Sequence, residues 1–189
     1  MRLIKMEKVR DGFLKNYELT YENKAGREKK FEIVSHRDLK GPEELGGSVS
    51  GVSIVAFHEG RLLLLKEFRM GVNREVYNLC AGMIEPGETI EDCIRRELYE
   101  ETGLRVRRII RILRPSFAAV ALSDIRNRIA YVEAEGEFSD HTSENESIRA
   151  AFYTRQEVEG LLETEDFSSR AQAVAYAFSV SGPVCDERY

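Results

Sequence analysis

One segment near the middle of the chain encodes both the start and the end of a helix, and it restricts the possible folds more than any other feature. Thr89, followed three residues later by Asp92, approximates a capping box, and Gly103 stands where helices commonly end in a left-handed residue. Between them, an apolar stripe at i, i+4 and i+8 is formed by Ile90, Ile94 and Leu98. The sequence therefore predicts an amphipathic helix whose apolar face packs against a core.

Short apolar runs before and after this helix are typical of strands. Residues 52–57 and 62–68 flank His58-Glu59-Gly60, a combination that predicts a β-hairpin. Further strands are predicted at residues 75–80, 106–113, 118–122 and 128–135, and further helices begin near Thr154 and Ser168. Because strands and helices do not alternate regularly, we expect an α+β fold in which helices flank a mixed sheet.

The N-terminal part of the chain is predicted to form a separate region. Residues 17–21 and 30–34 are strand-like and flank an Asn-Lys-Ala-Gly sequence that favours a turn. A glycine-rich linker follows at residues 41–47, so residues 1–45 are assigned to a small antiparallel strand region and residues 46–189 to the main domain. An isolated hairpin is marginal in water and its exposed edge favours pairing, so we expect a homodimer through this region.

Composition limits the classes of protein to which the chain can belong. The net charge of −5 disfavours a general nucleic-acid binder, and no apolar run approaches the roughly 20 residues of a membrane span. Cys80, Cys93 and Cys185 have no CxxC spacing, which argues against a disulfide framework and a zinc site. Since the N-terminus lacks the apolar segment of a secretory signal, we expect a cytoplasmic protein without membrane or nucleic-acid partners.

Three carboxylates crowd one face of the predicted helix. Glu97, Glu100 and Glu101 are three and four residues apart, a spacing at which like charges destabilise a helix. No lysine or arginine follows within reach of Glu100 and Glu101 on that face before Gly103, so the sequence indicates that a cation from outside the chain is needed there. Magnesium, which prefers one or two carboxylates together with substrate phosphate and water, fits this requirement. The alternative is a solvated helix with poor charge balance.

The loop before the helix favours the cation-binding interpretation. Gly82 and Gly87 bracket Pro86 and allow the backbone to approach an ion or a phosphate closely. The loop brings Glu88 to the start of the helix, about two turns before Arg96. We therefore expect an ion pair between Glu88 and Arg96 that fastens the loop to the helix.

Residues 82–104 match the pattern GX5EX7REUXEEXGU, in which U is apolar, at every specified position. The matching residues are Gly82, Glu88, Arg96, Glu97, Leu98, Glu100, Glu101, Gly103 and Leu104. The chain thus resembles the Nudix hydrolases, which implies the Nudix fold, a mixed sheet sandwiched between helices, and hydrolysis of a nucleoside diphosphate linked to a group X. Shorter similarities at residues 67–69 and 144–149 resemble the ADP-ribose pyrophosphatase-like branch, which implies a dimer formed through the N-terminal strands.

The resemblance also implies roles for individual residues. The metal site that it implies, for Mg²⁺ or alternatively Mn²⁺, consists of the Ala81 carbonyl, Glu97, Glu101 and Glu146. Glu100 is implied to assist at this site, and Arg96 to serve the catalytic helix. Glu144 is implied as the general base, with Glu146 as the alternative. Arg69 is implied as a phosphate clamp, and its alternative role is an exposed charge at a strand end.

Two departures from that branch leave the identity of X open. Residues 78–82 read Asn-Leu-Cys-Ala-Gly where the branch usually has Glu-Leu-Pro-Ala-Gly, and residues 117–124 lack its Pro-Gly turn. The predicted small-molecule substrate is ADP-ribose, cleaved to AMP and ribose 5-phosphate, or another ADP-sugar or nucleotide sugar. Two alternatives are a nucleotide-sensing binding module and an NTP pyrophosphatase of the same superfamily.

Overall fold

The chain divides into two units in the computed structural model, which describes residues 1–139, 141–142, 144 and 147–183. The first unit contains Met1–Ser50 and Pro115–Asn127, and the second contains Gly51–Arg114 and Arg128–Tyr189. A segment from the middle of the chain thus joins the N-terminal region. It is held there by hydrogen bonds from Val34 N to Leu122 O, at 2.8 Å, and from Gly46 N to the Asp124 carboxylate, at 3.2 Å.

The first unit contains a three-stranded antiparallel sheet. Its strands are β1 (Arg2–Asp11), β2 (Lys15–Glu22) and β3 (Glu28–Ser35), with β2 in the centre. The predicted hairpin corresponds to β2 and β3, and the core of the unit contains Tyr17, Leu19, Ile33 and Leu39. Strand β1 was not predicted, because charged residues are spread along it. Its side chains are exposed except for the half-buried Leu3 and Met6.

The predicted strand at residues 118–122 is wrong. Strand β9 is only Ser116–Phe117, and the residues after it form a turn in which Leu122 N and Ser123 N both donate to Ala119 O at 2.9 Å. The apolar run is typical of a strand, yet its backbone groups bond locally and its side chains are exposed. In the predicted linker, Pro42–Glu44 forms a short 3₁₀ helix.

The second unit is built on a mixed sheet with the strand order β11-β5-β4-β10-β8. These strands are β4 (Gly51–His58), β5 (Arg61–Arg69), β8 (Arg105–Ile112), β10 (Arg126–Glu135) and β11 (Ile148–Tyr153). The predicted strand at residues 75–80 is divided into β6 (Arg74–Asn78), which pairs with β5, and β7 (Cys80–Met83), which pairs with β4. The chain therefore crosses at Leu79 from one strand of the sheet to another.

Helices cover both faces of this sheet. Helix α1 (Ile90–Thr102) lies on one face, and α2 (Arg155–Thr164) and α3 (Ser169–Ser181) lie on the other. Side chains of β4 and β5 alternate between the two cores, so that Ile54 and Leu65 pack with α1 while Val55 and Leu64 pack with α2 and α3. The predicted α+β fold with a sandwiched sheet is confirmed. Burial on both faces explains why these strands are continuous apolar runs.

The predicted ends of the helices are also found. Thr89 Oγ1 accepts a hydrogen bond from Asp92 N at 3.2 Å, and Gly103 has a φ of 77° with its N–H donating to Tyr99 O at 2.7 Å. Thr154 and Glu157 form a complete capping box at the start of α2. Within the described part of the chain, no helix is both long enough and apolar enough to cross a membrane.

Candidate functional site

Strand β7 and helix α1 approach each other at Gly82. A Cβ atom built at Gly82 would overlap the carboxylate of Glu97. The backbone of Gly82 is not in the left-handed region, so space is what requires glycine here. The absence of a side chain lets the buried Glu97 carboxylate lie directly against the backbone of the strand.

Arg96 joins the helix to the loop that precedes it. Its Nε and Nη2 donate to the two carboxylate oxygens of Glu88 at 2.8 and 2.9 Å, and Nη2 also donates to Met83 O at 2.9 Å. Arg96, together with the N–H of Glu85, lowers the pKa of Glu88 to about 2. The predicted partners thus form a bidentate ion pair that fixes the loop to α1.

The same arginine neutralises part of the acidic face. Arg96 Nη1 donates to Glu97 Oε1 at 2.8 Å and to Glu100 Oε2 at 3.0 Å. The expectation that this face has no partner within the chain is therefore wrong for Glu97 and Glu100, which Arg96 contacts from positions one and four residues before them. Arg96 precedes all three carboxylates in the sequence, and its long side chain reaches forward along the helix to Glu97 and Glu100.

Glu101 is the carboxylate that has no ion pair with a described lysine or arginine. Its Oε2 accepts a hydrogen bond from Ala81 N at 3.1 Å, and burial raises its pKa to about 8. Burial also raises the pKa of Glu97, against the lowering effect of Arg96. The site thus holds two carboxylates that are costly to ionise without additional positive charge.

Glu97 and Glu101 fit a divalent cation, although the predicted ligand set is not assembled in the described residues. No three His, Cys, Asp or Glu side chains of the described chain lie close enough together to hold a metal ion. Of the other two predicted ligands, Ala81 contacts Glu101 through its N–H, and Glu146 lies outside the described residues. The fit rests on chemistry, because magnesium takes few protein carboxylates and completes its shell with phosphate and water.

The remaining predicted site residues lie on exposed positions. Glu144 lies in a turn, exposed to solvent, and no described contact joins it to Glu97 or Glu101. Arg69 ends β5, with 59% of its side chain exposed and its Nη1 3.5 Å from Glu67 Oε2.

Glu67 was not predicted as a site residue and belongs only to the short similarity at residues 67–69. Glu67 is 6% exposed, accepts a hydrogen bond from Asn78 Nδ2 at 2.5 Å, and raises the pKa of Glu101 by charge repulsion. The alternation of side chains along β5 could have indicated that Glu67 is buried. Leu63 and Leu65 belong to the α1 core, and residue 67 lies on the same face of the strand.

Comparison with known proteins agrees with this geometry. A family model described as NUDIX domain matches residues 47–176, a span that includes β7, the loop and α1. The chain belongs to the Nudix hydrolase family. The fold of this Nudix protein is similar to that in a crystal structure of an ADP compounds hydrolase, with a TM-score of 0.69 and 22% identity over 94% of this chain and 90% of the other.

Curated relatives of this Nudix protein include enzymes named NAD-capped RNA hydrolase NudC. The relative from Mycobacterium tuberculosis is 36% identical over 98 residues, which are 52% of this chain and 30% of the relative. The relative from Chromobacterium violaceum is 39% identical over 64 residues, 32% of this chain and 23% of the relative. The similarity thus spans less than a third of the length of these relatives.

Proposed function

We propose that this Nudix protein hydrolyses the diphosphate bond of a nucleoside diphosphate linked to a second group X. The observation that carries the proposal is the pair of carboxylates, Glu97 and Glu101, which are withdrawn from water and seated against Gly82 and Ala81. Carboxylates whose pKa values are raised in this way cluster at active sites. Membership of the Nudix family supports the same reaction class.

The proposed metal-binding residues are Glu97, Glu101 and the carbonyl of Ala81, with Glu146 as a further ligand. A bound Mg²⁺ or Mn²⁺ would supply a Lewis acid for the diphosphate oxygens and acidify a water molecule. Arg96 supports this site without binding the metal: it orients the Glu97 carboxylate and holds the loop at Glu88 against the helix. Glu100, which is held by the same guanidinium, assists from the edge of the site.

Two exposed residues are proposed to contact the substrate. Glu144 accepts the proton of the attacking water, and its exposed position in a turn is accessible to a bound substrate. Arg69 binds a phosphate group, for which a guanidinium is well suited because it can donate two parallel hydrogen bonds.

The proposed substrates are ADP-linked compounds, with ADP-ribose first. The relatives act, by their names, on NAD-capped RNA, and the structural neighbour acts on ADP compounds. An adenosine diphosphate group is common to both. For ADP-ribose the products are AMP and ribose 5-phosphate. NAD-capped RNA is a second candidate, which the similarity to the NudC enzymes favours.

A substrate panel in magnesium tests the proposal. ADP-ribose, NAD, nucleotide sugars, dinucleotides, NTPs and an NAD-capped oligonucleotide are incubated with the protein, and the phosphate-containing products are quantified. We expect Glu101→Gln to lower kcat by at least about 100-fold, since even indirect metal-site contacts are worth 10- to 100-fold. Glu91→Gln, an exposed carboxylate of the same helix, is the matched control and keeps full activity.

The panel also separates the alternatives. Tight nucleotide binding without turnover would favour a sensing module, and turnover of NTPs alone would favour an NTP pyrophosphatase. A folded protein that produces no product from any of these compounds contradicts the proposal.

A further inference from the structure

A line of three contacts runs from the start of α3 to Arg69. Ser168 Oγ donates to Asn78 Oδ1 at 2.6 Å, and Asn78 Nδ2 donates to Glu67 Oε1 at 2.5 Å. The other oxygen of Glu67 accepts from Arg69 Nη1 at 3.5 Å. The amide orientation follows from its neighbours, because a carboxylate cannot donate and Asn78 must present its NH₂ group to Glu67.

The end of this line at Ser168 is held by backbone hydrogen bonds. Ser168 is the N-cap of α3, and its backbone N donates to Tyr77 O at 2.9 Å. Tyr77 N in turn donates to Asp166 O at 2.7 Å, so the segment before α3 is bonded to β6 next to Asn78. The amide of Asn78 is therefore held from behind by the sheet and the helix together.

Burial of the Glu67 carboxylate is energetically unfavourable. Its hydrogen-bond partners among the described residues are a neutral amide and one guanidinium at the outer limit of hydrogen-bond distance, and it also lies close enough to raise the pKa of Glu101. A buried carboxylate without a close ion pair lowers the stability of the fold. Its presence at this position therefore indicates a role other than stability. An apolar residue would continue the β5 core at lower cost.

We propose that Glu67 and Asn78 are positioning residues that hold the Arg69 guanidinium where it meets a substrate phosphate. This inference rests on the proposed function of Arg69 as a phosphate clamp. Asn78 fixes one oxygen of Glu67, so the other oxygen faces Arg69 in a fixed direction. An arginine whose side chain is mostly exposed would otherwise sample many rotamers and lose entropy on binding.

The affinity for ADP, measured in EDTA, distinguishes the competing roles of Glu67. The two roles predict changes in the Kd for ADP in opposite directions when the carboxylate is removed. Without a metal, removal of a negative charge beside an anion site tightens ADP binding if Glu67 acts through its charge or through a cation. If Glu67 positions Arg69, the same removal weakens ADP binding. We expect Glu67→Gln and Asn78→Ala each to raise the Kd for ADP by about three- to tenfold, the scale of one typical intramolecular hydrogen bond. An unchanged or lowered Kd in Glu67→Gln overturns the proposal.

Matched variants control for charge and for folding. Glu75→Gln removes an exposed carboxylate of the neighbouring strand, and Arg74→Gln removes the arginine that lies opposite Arg69 in the β5–β6 pair. We expect both to bind ADP as the unmodified protein does. Thermal unfolding identifies any variant that is not folded, and the near-isosteric Glu67→Gln decides the question if Asn78→Ala does not fold.

A double-mutant cycle tests whether Glu67 acts through Arg69. In an Arg69→Gln background, Glu67→Gln is expected to leave the Kd for ADP and the KM for the substrate unchanged. Additive effects, or a shift in the magnesium concentration needed for half-maximal rate, contradict the proposal.

The design separates this inference from the proposed function. A protein that binds ADP but cleaves no diphosphate refutes hydrolysis, while the binding cycle still decides the role of Glu67. A protein that cleaves diphosphates but has the same Kd and KM in Glu67→Gln refutes only the positioning role.

Discussion

At the scale of a single residue, the close packing of β7 against α1 depends on Gly82. Its missing side chain leaves the space that the Glu97 carboxylate occupies, so the position of this carboxylate depends on what residue 82 lacks. Steric exclusion of this kind is invisible to any argument from helix periodicity, which places Glu97 on a face but not at a depth.

Gly82→Ala is therefore expected to disturb chemistry more than stability. The added methyl group forces the Glu97 carboxylate away from β7, which we expect to lower kcat by about 100-fold and to cost about 1–3 kcal/mol in unfolding. Steady-state rates and urea unfolding measure the two effects. Gly71→Ala is the control, because a Cβ there would meet no atom within 4 Å and its φ is not positive. Equal kcat values for the two variants would show that residue 82 does not set the site.

At the scale of the element, α1 is held at its sides by different forces. Its apolar side, which includes Ile94 and Leu98, is buried in the core of the sheet, and its acidic side is tied to the loop by Arg96. The apolar stripe and the spacing of the ion pair can both be recognised from residues that are close together in the sequence. How deeply each carboxylate is buried depends on β7, which lies at least ten residues away.

The ion pair between Glu88 and Arg96 predicts an acid-dependent loss of stability. Because the pKa of Glu88 is lowered from 4.5 to about 2 in the folded protein, its contribution is complete above pH 4.5 and is lost as the pH falls towards 2. We expect the difference in Tm between the protein and Glu88→Gln to be largest near neutral pH, at about pH 6–7, and to shrink below pH 4.5. A difference that does not change with pH would contradict this reading of the pair.

The apolar attachment of α1 gives a second prediction at this scale. Leu98 is fully buried, so Leu98→Ala is expected to lower the free energy of unfolding by about 2–5 kcal/mol. Leu122→Ala makes the same change at a side chain that is 66% exposed, and we expect it to cost less than about 0.5 kcal/mol. Urea denaturation compares the two, and similar costs would place Leu98 outside the core.

Local signals account for the parts of the fold that the sequence predicted. The caps at Thr89 and Gly103 and the hairpin of β4 and β5 are specified by a few neighbouring residues. Strand β1 could not be predicted, because its charges lie on both faces and its pairing with β2 alone makes it a strand. The proposed role of Glu67 depends on Asn78 of β6, which lies beside it in a contact between strands that no local pattern contains.

At the scale of the whole molecule, the three-stranded sheet of the first unit has exposed apolar side chains and β1 as an edge strand. On its three-stranded sheet, Ile4, Val9 and Phe31 are at least 40% exposed. An edge strand with unpaired backbone groups favours pairing with a second copy, so we expect a homodimer. Light scattering at micromolar concentration measures the mass, and a monomer there contradicts this prediction. Phe31→Glu should shift the equilibrium towards the monomer.

The guanidinium of Arg96 has five N–H groups, and the structure gives each of them an acceptor: two on Glu88, one each on Glu97 and Glu100, and the carbonyl of Met83. A saturated arginine has no donor to offer an incoming phosphate. Under the proposed function, attraction for the substrate comes instead from the bound cation and from Arg69. Removal of magnesium would then abolish catalysis and weaken substrate binding, while Arg69 would still contribute its contact to a phosphate.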